Sequence, residues 1–388
     1  MRYARLNPIA LLAVLVTTTH ASAINIVFDY SLDTNNFFNT QAKRDVMDAA
    51  AAVFEAFTDQ LAAITPGTVY NQGTANQFSD TWTASFTHPG TGSSYTVNNL
   101  SIAADTILVY AGGRNLPGST LGEGGPGGFT ANGIQSFVDA VEGRGQAGAL
   151  APVPYDFGPW GGAITFDLFN DWNFDLNTAP ANNETDFFSV AVHELAHLLG
   201  FGTATSFDVL ANGTTFSGAN ATSVYGSNPT LNFDQMHWAP GTTSTLPGGG
   251  VQETAMDPDI ADGAIKQFTL LDFAALKDIG WEVPASIFNS LDGDLNDDGF
   301  VGITDLNIVL GNWNQYVSSG DPLMGDPSGD GYVGIDDLNT VLGNWNNGTP
   351  PGQASLSVPE PVTVLWFTAM LLVHPARARR AFGHTRCA

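Results

Sequence analysis

Apolar residues alternate with polar ones, or recur every three to four positions, along most of residues 24–285, and that pattern divides the chain into elements. INIVFDY (24–30) is rich in β-branched and aromatic residues and reads as a first strand. Over 41–63, Met47, Ala50, Ala51, Phe54, Phe57 and Leu61 fall at the steps of one helix face. TWTASFT (81–87), YTVNNLSI (95–102), TILVYAG (106–112) and AITFDLF (163–169) read as strands, and the Gly-rich stretch 112–128 as a loop. VAVHELAHLLGFG (190–202) reads as a helix. Asp186 is its N-cap, Val190, Leu195, Leu198 and Leu199 are its apolar positions, and Gly200 can stop it in a left-handed turn. A polar segment, 203–236, follows, and Met256 lies in a turn before Pro258. FTLLDFAALKDIGWEV (268–283) is a short helix, with Thr269 as cap, Asp272 at the third position and Gly280 at its end. Residues 24–288 are therefore expected to form an α+β domain, a mixed sheet backed by helices.

The motif helix carries the chemistry. His193 and His197 are four residues apart, so both imidazoles leave one helix face and can reach a single zinc ion at about 2.0–2.1 Å. Glu194, beside the first of them, is placed to act as general base in a hydrolysis. A catalytic zinc takes three protein ligands and keeps one position open. Between the terminal segments only His88 and His237 remain as further imidazoles. His88, in THPG, reads as a turn residue; His237 follows the motif in sequence and is expected to be the third ligand. No GxxxxGK[ST] pattern supports phosphate binding.

HELAHLLGFG, a later histidine and then a turn methionine resemble the metzincin metallopeptidases, in particular the leishmanolysin-like layout with an insertion before the third histidine. In most metzincins that ligand stands three residues after the glycine; here the position is Thr203, a departure. The resemblance implies peptide-bond hydrolysis, zinc on His193, His197 and His237, and Glu194 as the base. It also implies a sharp turn at Gly200 and a hydrophobic floor made by Met256.

Charge points to a second metal. Between Ile24 and Pro361 lie all 38 acidic residues against six basic ones, a net of −32. Such a surface disfavours nucleic acid and anionic membranes and favours calcium. Two segments, 32 residues apart, repeat: DLNDDGFVGITDLNIVLGNWN from Asp294 and DPSGDGYVGIDDLNTVLGNWN from Asp326. Asp294, Asn296, Asp298, Phe300 (by its carbonyl) and Asp305 fall at loop positions 1, 3, 5, 7 and 12, and Asp326, Ser328, Asp330, Tyr332 and Asp337 match them. Glycine stands at position 6 in both, and each loop runs into a short helix. Residues 289–349 thus resemble dockerin-type calcium repeats, a small calcium-loop helical domain that implies a cohesin-like or cell-surface partner.

The ends read as targeting segments. Arg2, Arg5, an apolar run and Ala21-Ser22-Ala23 make a secretory signal over 1–23. The only cysteine, Cys387, allows no disulfide within the chain. In 350–388 a Gly/Pro/Ser linker leads to VPEP, a short apolar run and Arg377, Arg379 and Arg380. That order resembles a PEP-CTERM sorting tail, which implies export by a Gram-negative bacterium, with transient membrane association before the tail is removed. A secreted or cell-surface zinc endopeptidase acting on protein or peptide is the expected function. The competing expectation is a calcium-dependent adhesion or scaffold protein whose zincin domain is catalytically silent.

Overall fold

The structure is a computed structural model that describes residues 23–71, 77–288, 291–296, 298–317, 322–328, 331–348 and 350. The signal segment up to residue 22, the linker and sorting tail from 351 onward and Asp330 lie outside the described residues. Among those described, no helix is long and apolar enough to cross a membrane.

A four-stranded sheet organises the larger part of the chain. Its order is Asn25–Asp29, Thr106–Arg114, Gly161–Asp167, Gly122–Pro126. The first three strands are parallel and the last, at the edge, is antiparallel. The strand Thr106–Arg114 is buried on both faces, and its side chains divide between two cores, as a near-continuous apolar run requires. Ile107, Val109 and Ala111 join a core with the helices Gln41–Ala52 and Phe187–Leu198. Leu108 and Tyr110 turn the other way, toward Trp82, Phe86 and Trp160. There a three-stranded antiparallel sheet (Ser94–Asn98, Thr81–Thr87, Gly128–Asn132) and the helix Gln135–Gly143 complete the second core. This is a mixed α+β fold, a sheet backed by helices.

Several boundaries depart from the pattern-based expectation. The stretch 112–128 is not a loop throughout: it ends one strand and supplies the edge strand Gly122–Pro126. Its glycines hide a strand because glycine packs no side chain and weakens strand propensity. The helix expected over 41–63 stops at Ala52. Phe54, Phe57 and Leu61 remain buried, but the chain beyond is held by other partners: Thr58 N–H bonds the Glu282 carbonyl at 3.2 Å and Leu61 N–H the Asp105 carboxylate at 2.8 Å. Long-range hydrogen bonds have displaced the helical ones while the apolar periodicity still serves the core. The polar segment 203–236 contains two short helices, Thr205–Leu210 and Ala219–Tyr225. The last helix of this part, Leu270–Asp278, carries a complete capping box between Thr269 and Asp272.

Residues 291–348 hold two matching helices, Ile303–Gly311 and Ile335–Gly343, around a small core of Leu295, Val301, Val309, Val333 and Val341. The two repeats grip each other reciprocally. A Cβ on Gly293 would stand 2.9 Å from Val341 Cα, and one on Gly325 would stand 3.0 Å from Val309 Cα. Only glycine allows that approach.

Candidate metal centre

Asp186 starts the motif helix: its carboxylate accepts the Ser189 N–H at 2.9 Å, a cap worth about 1 kcal/mol. Two turns on, His193 and His197 emerge on one face. The chain leaves the helix at Gly200, whose φ of +104° favours glycine and whose absent Cβ makes room for the Phe157 ring. Gly202 matters as much. A Cβ there would lie 2.5 Å from the Met236 carbonyl oxygen, so its absence lets segment 234–237 lie against the turn. That packing brings His237 back to the helix.

The three Nε2 atoms lie 3.0–3.1 Å from one another. Nitrogens bound tetrahedrally to one zinc stand roughly 3.3–3.4 Å apart, so the spacing is within a few tenths of an ångström of a zinc site. The opposite ring atoms decide the tautomers. Nδ1 of His193 faces the Ala255 carbonyl at 2.7 Å, that of His197 the Phe201 carbonyl at 2.8 Å, and that of His237 the Asp234 carboxylate at 2.8 Å. All three partners are acceptors, so each neutral ring keeps its proton on Nδ1 and turns a bare Nε2 lone pair inward. Three lone pairs aimed at one point repel unless a cation sits between them. Burial and the neighbouring imidazoles push His193 well below its ordinary value and His197 down to about 4, which keeps both neutral for a metal. Among the described residues this is the one cluster of three His, Cys, Asp or Glu side chains able to hold an ion.

The other candidates lie elsewhere. Thr203 Oγ donates to the His197 carbonyl at 2.6 Å and finishes the helix. His88 is buried, its Nδ1 accepting the Gly90 N–H and its ring edge-on to Tyr95. Met256 is fully buried; its carbonyl accepts the Trp238 N–H at 3.0 Å, which ties the turn to the residue after His237.

Glu194 is buried under the edge strand. Cβ atoms on Gly122 and Gly124 would come within 2.6 Å of its Oε1 and 2.4 Å of its carbonyl oxygen. The glycine-rich edge strand is therefore what allows helix and sheet to close over this carboxylate. Burial raises Glu194 to about 8, the Gly124 N–H pulling the other way and Glu123 adding to the rise. A dication held by the adjacent imidazoles would draw that value down. Both Glu194 and the three histidines open on a cavity of about 510 Å³ that is also lined by Asp257, Asp259 and Lys266.

Pattern reading missed the groups that hold these residues. Asp272 was legible only as a helix cap, yet its buried carboxylate also accepts from Trp238 Nε1 (2.9 Å) and the Ala255 N–H (2.9 Å). It thereby links the His237 segment to the carbonyl that orients His193. Asp234, three residues before His237, had no signal beyond its proximity.

In the repeats the carboxylates turn to their own backbone. Asp294 accepts from Asp298 and Gly299 N–H groups, Asp298 from Phe300, and Asn296 Nδ2 donates to Asp298. Asp305 accepts from Leu295 and Gly302. Asp326 accepts from Gly331 N–H and Ser328 Oγ, and Asp337 from Ser328 and Gly334 N–H groups. Phe300 and Tyr332 form bridges to Gly348 and Tyr316.

The converging three-histidine cluster, set on a helix that packs against a mixed sheet, is a site that could hold a metal ion such as zinc. The Matrixin family model matches residues 131–213, a span that contains the motif helix and ends before His237. Match and cluster together fit a metzincin zinc metallopeptidase. Comparison with curated proteins and with solved structures finds no match.

Proposed function

We propose that the chain is a secreted, zinc-dependent endopeptidase in which Glu194 is the general base. The observation that carries this reading is the set of three inward Nε2 lone pairs, 3.0–3.1 Å apart, opening with Glu194 on one cavity. His193, His197 and His237 would hold the zinc, which when bound supplies a Lewis acid for a carbonyl and lowers the pKa of water to about 7. Glu194, largely buried beneath Gly122 and Gly124 but lining the cavity, takes a proton on its carboxylate and returns it to the leaving amine. The Nδ1 partners of the three rings keep the ligands neutral and fixed during the cycle.

Glu194→Gln tests the base. The amide cannot accept a proton, so the variant keeps its zinc and loses at least about a hundredfold in turnover on casein. Near-normal proteolysis by zinc-loaded Glu194→Gln rejects the assignment.

The remaining expectations belong to the same proposal. Residues 1–23 direct secretion, 24–288 form the peptidase unit, and 350–388 serve as linker and sorting tail. Calcium binds in the loops at Asp294, Asn296, Asp298, Phe300 and Asp305 and at Asp326, Ser328, Asp330, Tyr332 and Asp337. Support for calcium comes from the register-matched repeats and from Asp294, which burial and the nearby Asp305 and Asp298 hold above the ordinary carboxylate range despite the N–H groups of Gly299 and Asp298. Engagement of a cohesin-like or surface partner through 289–349 follows from the resemblance of the repeats.

A further inference from the structure

The cavity is also lined by charged groups that are not among the three histidines or Glu194. Lys266 is only 7% exposed and is fixed in place. Its Nζ donates to the Asp259 carbonyl at 2.5 Å and lies 3.2 Å from Asp257 Oδ1 and 3.1 Å from Glu253 Oε2. Its own N–H donates to Ser189 Oγ, which in turn donates to the Asp186 cap, so this part of the cavity is anchored to the start of the motif helix. Asp257 is likewise committed, accepting from the Gly241 and Asp259 N–H groups. Glu123, which also lines the cavity, pairs with Arg114. Asp259 differs from all of these. It is exposed, it lines the cavity, and its carboxylate has no hydrogen-bond or ion-pair partner among the described residues.

Resting on the reading as an endopeptidase, we propose that the cleft selects substrates with a lysine or arginine side chain beside the bond to be cut, and that Asp259 is its counter-charge. Asp257 and Asp259 set two carboxylates against the single ammonium of Lys266, which Glu253 also pairs from outside the cavity lining, so this part of the cavity keeps a net negative charge. A carboxylate side chain seated there would meet like charge. An aliphatic one would take water from the Asp257–Lys266 pair without replacing its hydrogen bonds. A long cationic side chain fits both the charge and a cavity of about 510 Å³. At long range, 38 acidic residues against six basic ones between Ile24 and Pro361 steer cationic peptides to this molecule and repel acidic ones.

The experiment uses the full zinc-loaded chain and quenched-fluorescence peptides of one frame, with arginine, norleucine or glutamate scanned across the positions flanking the cut. Cleavage is read as kcat/KM. Binding is read separately, by fluorescence anisotropy on zinc-loaded Glu194→Gln. One position should favour arginine over glutamate by about tenfold or more. Asp259→Asn should reduce that ratio by roughly five- to tenfold, and Asp259→Lys should invert it. Asp45→Asn, on the exposed side of the helix Gln41–Ala52, changes charge equally and should leave the ratio unchanged. Cleavage or binding indifferent to charge, or a preference that Asp259→Asn and Asp45→Asn alter equally, overturns the proposal. Charge-selective binding that depends on Asp259, with no cleavage of any peptide, rejects the peptidase reading and keeps the recognition site.

Discussion

Replacing Asp272 by asparagine changes one atom in a fully buried position and should disturb the metal centre from a distance. The carboxylate gathers five donors. Oδ1 takes Trp238 Nε1 at 2.9 Å and the Met256 N–H at 3.4 Å; Oδ2 takes the Ala255 and Thr269 N–H groups at 2.9 Å and Thr269 Oγ at 2.8 Å. An amide can keep its oxygen on the Oδ2 side, where three donors meet, but its NH2 then faces the indole N–H and the Met256 N–H. A buried donor deprived of its acceptor costs about 1–3 kcal/mol, and the Met256 bond is the longer and weaker, so the expected loss is about 2–4 kcal/mol. At about 2–4 °C per kcal/mol for a unit of this size, the metal-free protein should melt roughly 5–15 °C lower. Displacement of Trp238 moves its neighbour His237, and displacement of Ala255 moves the acceptor of His193. Zinc affinity should therefore fall by about 10- to 100-fold, the usual consequence of losing a group that orients ligands. Calorimetry of the metal-free variant and zinc competition against a calibrated chelator measure the two effects separately. A variant that melts within about 2 °C of the parent and binds zinc equally well refutes this account of Asp272.

Three further outcomes are expected. His237→Ala should lose zinc on dialysis against a mild chelator while Thr203→Ala and His88→Ala retain it; retention by the first together with loss from His88→Ala overturns the ligand set. Asp59 is 1% exposed with Oδ1 unpartnered, and burial, with Glu282 and Asp156 near, raises it from 3.8 to about 7 against the opposing Glu282 and Asp59 N–H groups. The folded state thus binds the extra proton, so the contribution is present below pH 3.8 and lost as pH rises through about 7, by an amount on the order of 4 kcal/mol. Asp59→Asn should accordingly stabilise the protein at pH 8 more than at pH 5 in thermal melts, and an equal shift at both pH values rejects the assignment. Calcium should slow hydrogen exchange in 291–348 of the full chain without changing its zinc content; unchanged exchange there at millimolar calcium rejects cation binding by the loops.

Local chemistry made the motif helix legible. The four-residue step of His193 and His197, the cap at Asp186, the stop at Gly200 and the capping box of Thr269 and Asp272 all act within one or two helical turns, so the sequence alone determined them. Scarcity of histidine narrowed the third ligand to two positions, and the order of the chain favoured His237. The two repeats were equally plain, since identical spacing recurs whatever surrounds it. Other features required residues distant in sequence to meet. The strand Gly122–Pro126 has almost no strand-forming side chains; its backbone pairs with Gly161–Asp167, and its bare Gly122 and Gly124 let Glu194 approach closely. The chain after Ala52 leaves the helix because its backbone finds partners near Asp105, Arg144 and Glu282, more than 40 residues away. Asp272, Asp234 and Lys266 acquire their roles only when loops close around them. Hydrogen bonding over such separations depends on packing that no local pattern encodes, so tertiary structure alone decided how the metal ligands are held and what charge their cavity presents.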